Sequence, residues 1–247
     1  MAHMRRQGSG GEAGFSLIEL MIAMAVTLVL MTLASKVLME CFNIRTTQDS
    51  RSAAIADVQR GLNIISREVA GAGFGLTNNG VVGCNAAGAC DSNATSIRVR
   101  SNLNRLDSTP TDADTLDDGE DLKYYVNNLD ADTQYLVRYN INATGTKATV
   151  LANRITAVQF HYFDKRVTYT TLSYNPAAPG ASLITNVRAS NGVAQAEVAP
   201  DQARYVVIMI IVRLPAVGKP GSPGYQPPAN EMLVSDVALR NNDLTNY

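Results

Sequence analysis

Hydrophobic and polar positions divide the chain into three textures. From Phe15 to Ala34 nearly every position is apolar, and Glu19 is the one charge in the run. Roughly 20 apolar residues at about 1.5 Å each are enough to cross a bilayer as a helix. Beyond Ala34 the pattern turns periodic. Ile55, Val58, Leu62, Ile65 and Val69 recur at the spacing of one helix face, while Asp57, Gln59, Arg60, Asn63, Ser66, Arg67 and Glu68 fill the rest. No proline occurs before Pro110, so helix is expected to continue from the apolar run to about Ala70. It should stop at Gly71-Ala72-Gly73, where glycine suits a left-handed C-cap.

The third texture begins near Thr95, where short runs rich in β-branched and aromatic residues alternate with turn residues. The predicted strands are Ile97–Arg100, Leu122–Asn127, Tyr135–Ile141, Ala148–Leu151, Ile155–Phe163, Val167–Leu172, Tyr205–Leu214 and Met232–Leu239. The run from Tyr205 to Arg213 is too short to span a membrane as a helix and reads as a central strand buried on both faces. Val217 to Asn230 carries four of the nine prolines and is expected to be an exposed connection that cannot pair in a sheet. A sheet with one apolar face and a helix with one apolar face bury each other. The expected fold class is therefore α+β, with residues 36–70 packed across an antiparallel sheet.

Composition narrows the function. With 21 Lys+Arg against 22 Asp+Glu the net charge is −1, which gives no global attraction for nucleic acid. Two histidines and three cysteines exclude a zinc-finger array. The glycine pattern in residues 8–13 follows no strand, and neither a phosphate-cradling loop nor a G-x-S-x-G elbow occurs. His161 falls in a predicted strand and reads as a satisfied sheet residue. No catalysis and no cofactor are expected. Arg5 and Arg6 precede the apolar run, so the leader should stay cytoplasmic and the bulk of the chain should be exported.

Gly14-Phe15-Ser16-Leu17-Ile18-Glu19-Leu20 resembles the prepilin processing site of type IV pilins and type II secretion pseudopilins. The resemblance implies cleavage after Gly14, N-methylation of Phe15, and retention of the apolar helix. It divides the chain into a cleaved leader (1–14), a transmembrane and filament-core helix (15–35), an amphipathic helix (36–70) and a globular β-rich domain (71–247). A carboxylate in an apolar helix is costly unless paired, and Glu19 therefore needs a cation. The resemblance supplies one, the new α-amine of a neighbouring subunit, and makes Glu19 an assembly residue. Lys36 stands where many major pilins have a kink-forming proline.

Further segments are similar to PilW-type minor pilins and their J-type pseudopilin relatives: DVQRGLNIISREVAGAGFG at the helix end, LANRITAVQFHYFD, RYVVIMIIVRL and EMLVSDVALRNN, in that order. The implied role is a minor pilin that helps start a type IV pilus and sits at or near its tip. The alternative is a J-type pseudopilin of a type II secretion system, and a more distant one is a secreted binding module whose ordinary signal ends before Ser35. Implied partners are other minor pilins, the major pilin, the prepilin peptidase, the inner-membrane assembly platform and, before assembly, membrane lipid. The implied location is the inner membrane in a single pass, then the pilus on the bacterial cell surface.

Two motifs lie outside that resemblance. Cys84 and Cys90 flank a Gly/Ala/Asn-rich loop in a segment expected to be exported, where disulfides persist, so a bridge is expected, with two free thiols as the alternative. Cys41 reads as a packing residue on the helix. Six carboxylates fall between Asp112 and Asp121, and Asp112, Asp114, Asp117 and Asp118 are weak calcium candidates. Their order does not match an EF-hand, since Leu116 and Tyr125 would occupy ligand positions, and a solvated turn is the competing reading.

Overall fold

The computed structural model describes residues 14–104, 115–127, 134–221 and 225–241. One helix, α1 (Leu17–Ala70), is followed by nine strands: β1 (Ser96–Arg100), β2 (Asp121–Asn127), β3 (Tyr135–Asn140), β4 (Ala148–Asn153), β5 (Ile155–Phe163), β6 (Val167–Thr171), β7 (Ile184–Ala189), β8 (Tyr205–Leu214) and β9 (Ala229–Ala238). A long N-terminal helix packed on antiparallel β-sheets is an α+β, pilin-like architecture. The chain divides into two compact units, 1–46 and 47–247, and α1 belongs partly to each.

In the first unit the described residues are the opening of α1. Leu17, Ile18, Leu20, Met21, Ile22 and their successors through Phe42 are exposed on every side of the helix. Thr27 donates its hydroxyl to the carbonyls of Ala23 and Met24 at 2.9 Å, and Thr32 donates to Val29 at 2.8 Å. Both hydroxyls are thus satisfied inside the helix, which keeps its surface apolar.

The second unit is built around the rest of α1. Ala54, Val58, Gly61, Leu62, Ile65 and Val69 form its buried face. Burial therefore begins at Ala54, not at Lys36, and Ile55 is only half-buried. The expected single sheet is three. Strands run β1-β2-β3-β4 in one, β5-β8-β9 in a second and β6-β7 in a third, all antiparallel. Arg154, with φ of 60°, is the residue between β4 and β5, so the chain leaves one sheet and starts the next across a left-handed residue. Leucine-rich periodicity cannot announce such a turn.

β8 is the central strand that its composition predicts, buried from Tyr205 to Val212. Its two faces serve two cores. Val206, Ile208, Ile210 and Val212 join the helix face, Tyr124, Leu136 and Phe160 in the main core. Tyr205, Val207, Met209 and Ile211 join Phe163, Val167, Leu183 and Ile184 in a second core beneath the β6-β7 hairpin. Gly61 lets the helix approach closely: a Cβ there would sit 3.3 Å from the Leu151 Cβ and 3.4 Å from the Leu136 Cδ2.

α1 ends at Ala70, as expected, but the left-handed glycine is Gly73 (φ 78°) and not Gly71. The last carbonyls are capped from the far end of the chain. Arg240 N–H donates to Ala70 at 3.2 Å, and the Asn241 side chain donates to Gly71 and Ala72 at 3.1 Å. Two strand expectations need correction. β7 lies in a segment for which no strand is predicted, because Thr185, Asn186 and Arg188 interrupt its apolar residues. The stretch from Val217 to Asn230 does pair: Val217 and Gln226 exchange both backbone bonds at 2.8 and 2.9 Å, and Ala229 and Asn230 open β9. The prolines lie between and beside these residues, which retain their own N–H groups.

Candidate functional site

The site is the start of α1. Ser16 precedes the first helical residue, and its carbonyl accepts from Glu19 N–H at 3.0 Å and Leu20 N–H at 3.1 Å. This places Glu19 in the first turn, where the helix dipole favours an acidic group. Gly14 and Phe15 lie outside the helix and are exposed, and nothing is within 4 Å of where a Gly14 side chain would begin. The Gly14–Phe15 bond thus sits outside the helix, beside an exposed helix end. Among the described residues Glu19 has no ion-pair partner, whereas the acidic side chains of the second unit are engaged at Glu68, Asp91 and Asp121. α1 is long and apolar enough to cross a membrane, and its apolar window is entirely unburied.

Cys84 and Cys90 form a disulfide, as expected, across an isolated antiparallel bridge. The loop they close is organised by Asn85. Its Oδ1 accepts from Ala87 N–H at 3.0 Å and Ala89 N–H at 2.9 Å, and its own N–H donates to Ala89 at 2.9 Å. Next to the bridge is an ion cluster that the sequence did not announce. Asp91 binds Arg98 at 2.8 Å and Lys123 at 3.1 Å, while Arg98 and Arg100 converge on Asp121 at 2.6 and 2.8 Å. Hydrogen bonding to Asp121 holds the Arg98 guanidinium above its ordinary pKa, against the opposing effect of burial. The register of β1 on β2, Arg98 opposite Lys123 and Arg100 opposite Asp121, assembles this cluster. Its only sequence signal is charge at alternate strand positions.

The calcium candidates Asp112 and Asp114 lie outside the described residues. Asp117 accepts from the Asn104 side chain at 2.6 Å and Asp118 from that of Asn140. Glu120, 1% exposed, caps the turn by accepting from Leu103 N–H at 2.6 Å and Asp117 N–H at 3.2 Å. Among the described residues no group of three or more His, Cys, Asp or Glu is placed to hold a metal. These oxygens are spent on protein donors.

Cys41 is free and exposed on α1, so among the described residues it is not the packing residue expected. His161 is buried in β5, but it is only half satisfied. Its Nδ1 lies 2.8 Å from Glu197 Oε1, and its Nε2 has no partner among the described residues. Glu197, which sequence reasoning missed, lies in the connection after β7, too far along the chain to be paired with His161 by pattern.

Residues 10–35 match the model of the prokaryotic N-terminal methylation motif. Comparison with curated proteins and with solved structures finds no match. The motif, together with an apolar N-terminal helix on an α+β domain, supports a type IV pilin-like or pseudopilin protein. Such a motif implies processing by a prepilin peptidase, membrane anchoring before assembly, and assembly with other pilins. Proteins of this type are typically structural.

Proposed function

We propose that the chain is a minor pilin, a structural and assembly-initiating subunit at or near the tip of a type IV pilus. The leader 1–14 is removed after Gly14, Phe15 is N-methylated, and residues 15–35 pass from the inner membrane into the filament core. Residues 36–70 carry the amphipathic half of the helix, and 71–247 form the globular domain displayed at the cell surface. Partners are other minor pilins, the major pilin, the peptidase and the inner-membrane platform. The disulfide Cys84–Cys90 suits an exported domain.

The observation that carries this reading is Glu19, a carboxylate without a described partner in the first turn of α1, whose apolar opening through Phe42 is exposed. An α-amine has an ordinary pKa of about 8 and is mostly protonated at neutral pH. Cleavage after Gly14 creates one on Phe15, and docking of subunits pairs it with Glu19 of a neighbour. Lipid is as apolar as leucine, so exchange of lipid for helices gives little hydrophobic gain and polar pairing provides selectivity.

Mass spectrometry of sheared surface filaments tests the proposal. The expected chain begins at methyl-Phe15, and Glu19→Ala reduces its incorporation at least tenfold. A filament-borne chain retaining Arg5 and Arg6, or normal incorporation of Glu19→Ala, overturns the mechanism. Recovery only from a secretion-system pseudopilus assigns the J-type alternative, and a secreted chain beginning at Ser35 assigns the binding module.

A further inference from the structure

We propose that an open cleft in the second unit, about 860 Å³ in volume, binds a carboxylate of an acidic peptide segment between Arg154 and Arg213. The site stands whether the chain is built into a pilus or into a secretion pseudopilus. Arg154 is the left-handed residue between β4 and β5, and its carbonyl accepts Arg213 N–H at 2.8 Å. This backbone bond brings two guanidinium-bearing residues side by side on one cleft. Strained backbone at a non-glycine residue persists where the surroundings enforce it and recurs at binding sites. Here it fixes the position of an arginine.

Among the described residues no acidic residue lines the cleft and neither arginine makes an ion pair. Arg154 spends one nitrogen on Ser50 Oγ at 3.1 Å and keeps the rest of its fork. Two like charges on one concave surface repel, and an anion that accepts from both removes the repulsion. Arg51 is already committed, donating to Pro215 O at 2.8 Å, Gln226 Oε1 at 2.6 Å and Pro227 O at 2.9 Å. Its role is to fasten one wall of the cleft to the helix.

The walls favour a peptide over a bare inorganic anion. Tyr174, Pro176 and Pro215 offer rigid apolar surfaces for aliphatic stems, while Asn230, whose Oδ1 accepts from the Thr156 hydroxyl at 3.3 Å, keeps its amide N–H groups for a peptide backbone. The volume falls in the range of clefts that take ligands much larger than one phosphate. Proline walls lose little entropy on binding, which favours affinity.

The test uses the full chain in detergent and a fluorescein-labelled peptide of the sequence Asp-Ala-Asp-Thr-Leu-Asp-Asp-Gly-Glu-Asp, read by anisotropy. Saturable binding is expected, weakened at least tenfold by Arg213→Gln and at least tenfold by Arg154→Gln. The same peptide with Asn and Gln for Asp and Glu is expected not to bind. Among the described residues the Arg213 side chain makes no hydrogen bond, so the thermal midpoint of Arg213→Gln should match wild type and loss of binding reads the site itself. Absence of saturable binding at millimolar peptide overturns the proposal, as does unchanged affinity in the Arg213→Gln variant. So does equal affinity for the neutral peptide. Displacement of the peptide by equimolar inorganic phosphate, or equal binding to phosphatidylglycerol vesicles, also overturns it, because the site would then read negative charge and not a peptide.

Discussion

Arg98 holds Asp121 with both prongs of its guanidinium, Nε on Oδ1 at 2.7 Å and Nη2 on Oδ2 at 2.6 Å. Asp121 is 5% exposed in its side chain, and Arg100 adds a third bond at 2.8 Å. Removing the carboxylate leaves Arg100 without its partner and Arg98 with Asp91 alone, beside the main core. Breaking one partner of a buried pair costs about 3–5 kcal/mol, and partial exposure of Arg100 reduces that here. Asp121→Asn is therefore expected to destabilise the folded chain by about 2–3 kcal/mol. Urea denaturation in detergent reads it; a loss below about 0.5 kcal/mol would show the pair to be dispensable.

Asp91 gives this cluster its acid response. Burial by itself raises its pKa, but hydrogen bonds from Lys123 and Arg98 and the attraction of their charges outweigh that effect and hold it below the ordinary 3.8. A carboxyl depressed in the folded state binds its proton more readily when unfolded. Its contribution to stability is present above the ordinary value and is lost as pH falls through the lower folded value. The stability gap between wild type and Asp91→Asn should be full at pH 7 and narrow below about pH 4. A gap that stays constant across that range would remove the assignment.

Gly73 and Gly80 meet backbone to backbone after α1, with φ of 78° and 71°. A Cβ on Gly73 would lie 2.6 Å from Asn78 O, and one on Gly80 would overlap Gly73 N and Arg100 O. Gly73 N–H donates to Arg100 O at 2.9 Å and Arg100 N–H donates to Gly80 O at 2.7 Å, so the contact also anchors β1. Gly80→Ala should cost at least about 3 kcal/mol or prevent folding, since both steric overlap and a left-handed backbone oppose it. Gly88→Ala is the control. It shares a positive φ of 82° but has nothing within 4 Å, and about 1 kcal/mol is expected from backbone strain alone. Equal losses in the two variants would mean that the close approach contributes nothing.

Much of this fold is legible in the sequence because burial imposes a period. Val58, Leu62, Ile65 and Val69 are buried as their spacing requires, and the uninterrupted run of β8 is buried on both faces. β7 was not legible, because only Ile184 and Ala189 of its six residues are buried. The break between the β1-β2-β3-β4 sheet and the β5-β8-β9 sheet falls at Arg154, whose φ of 60° an arginine does not advertise. At the N-terminus the processing motif is local in sequence, contained within residues 10–35. The Asp91–Arg98–Asp121 cluster, the His161–Glu197 contact and the Arg154–Arg213 cleft are long-range products of strand pairing. Beyond the alternate charges Arg98/Arg100 and Asp121/Lys123, their residues carry no spacing that a linear reading can use.

His161 separates packing from chemistry in the second core. Its side chain is 5% exposed, while that of Glu197 is 49% exposed, so the carboxylate can return to water if the imidazole is removed. Nε2 is buried without a partner, and a buried polar atom left unsatisfied costs about 1–3 kcal/mol. A leucine in its place removes that cost, gives up one hydrogen bond to a half-exposed group worth about 1 kcal/mol, and faces the apolar side shared with Phe163, Val207 and Met209. His161→Leu is accordingly expected to lie within about 1 kcal/mol of wild type or to be more stable, with filament incorporation unchanged. A loss above about 3 kcal/mol would show that the His161–Glu197 contact organises the hairpin beyond its single bond, and normal stability with lost incorporation would give the imidazole a role in assembly.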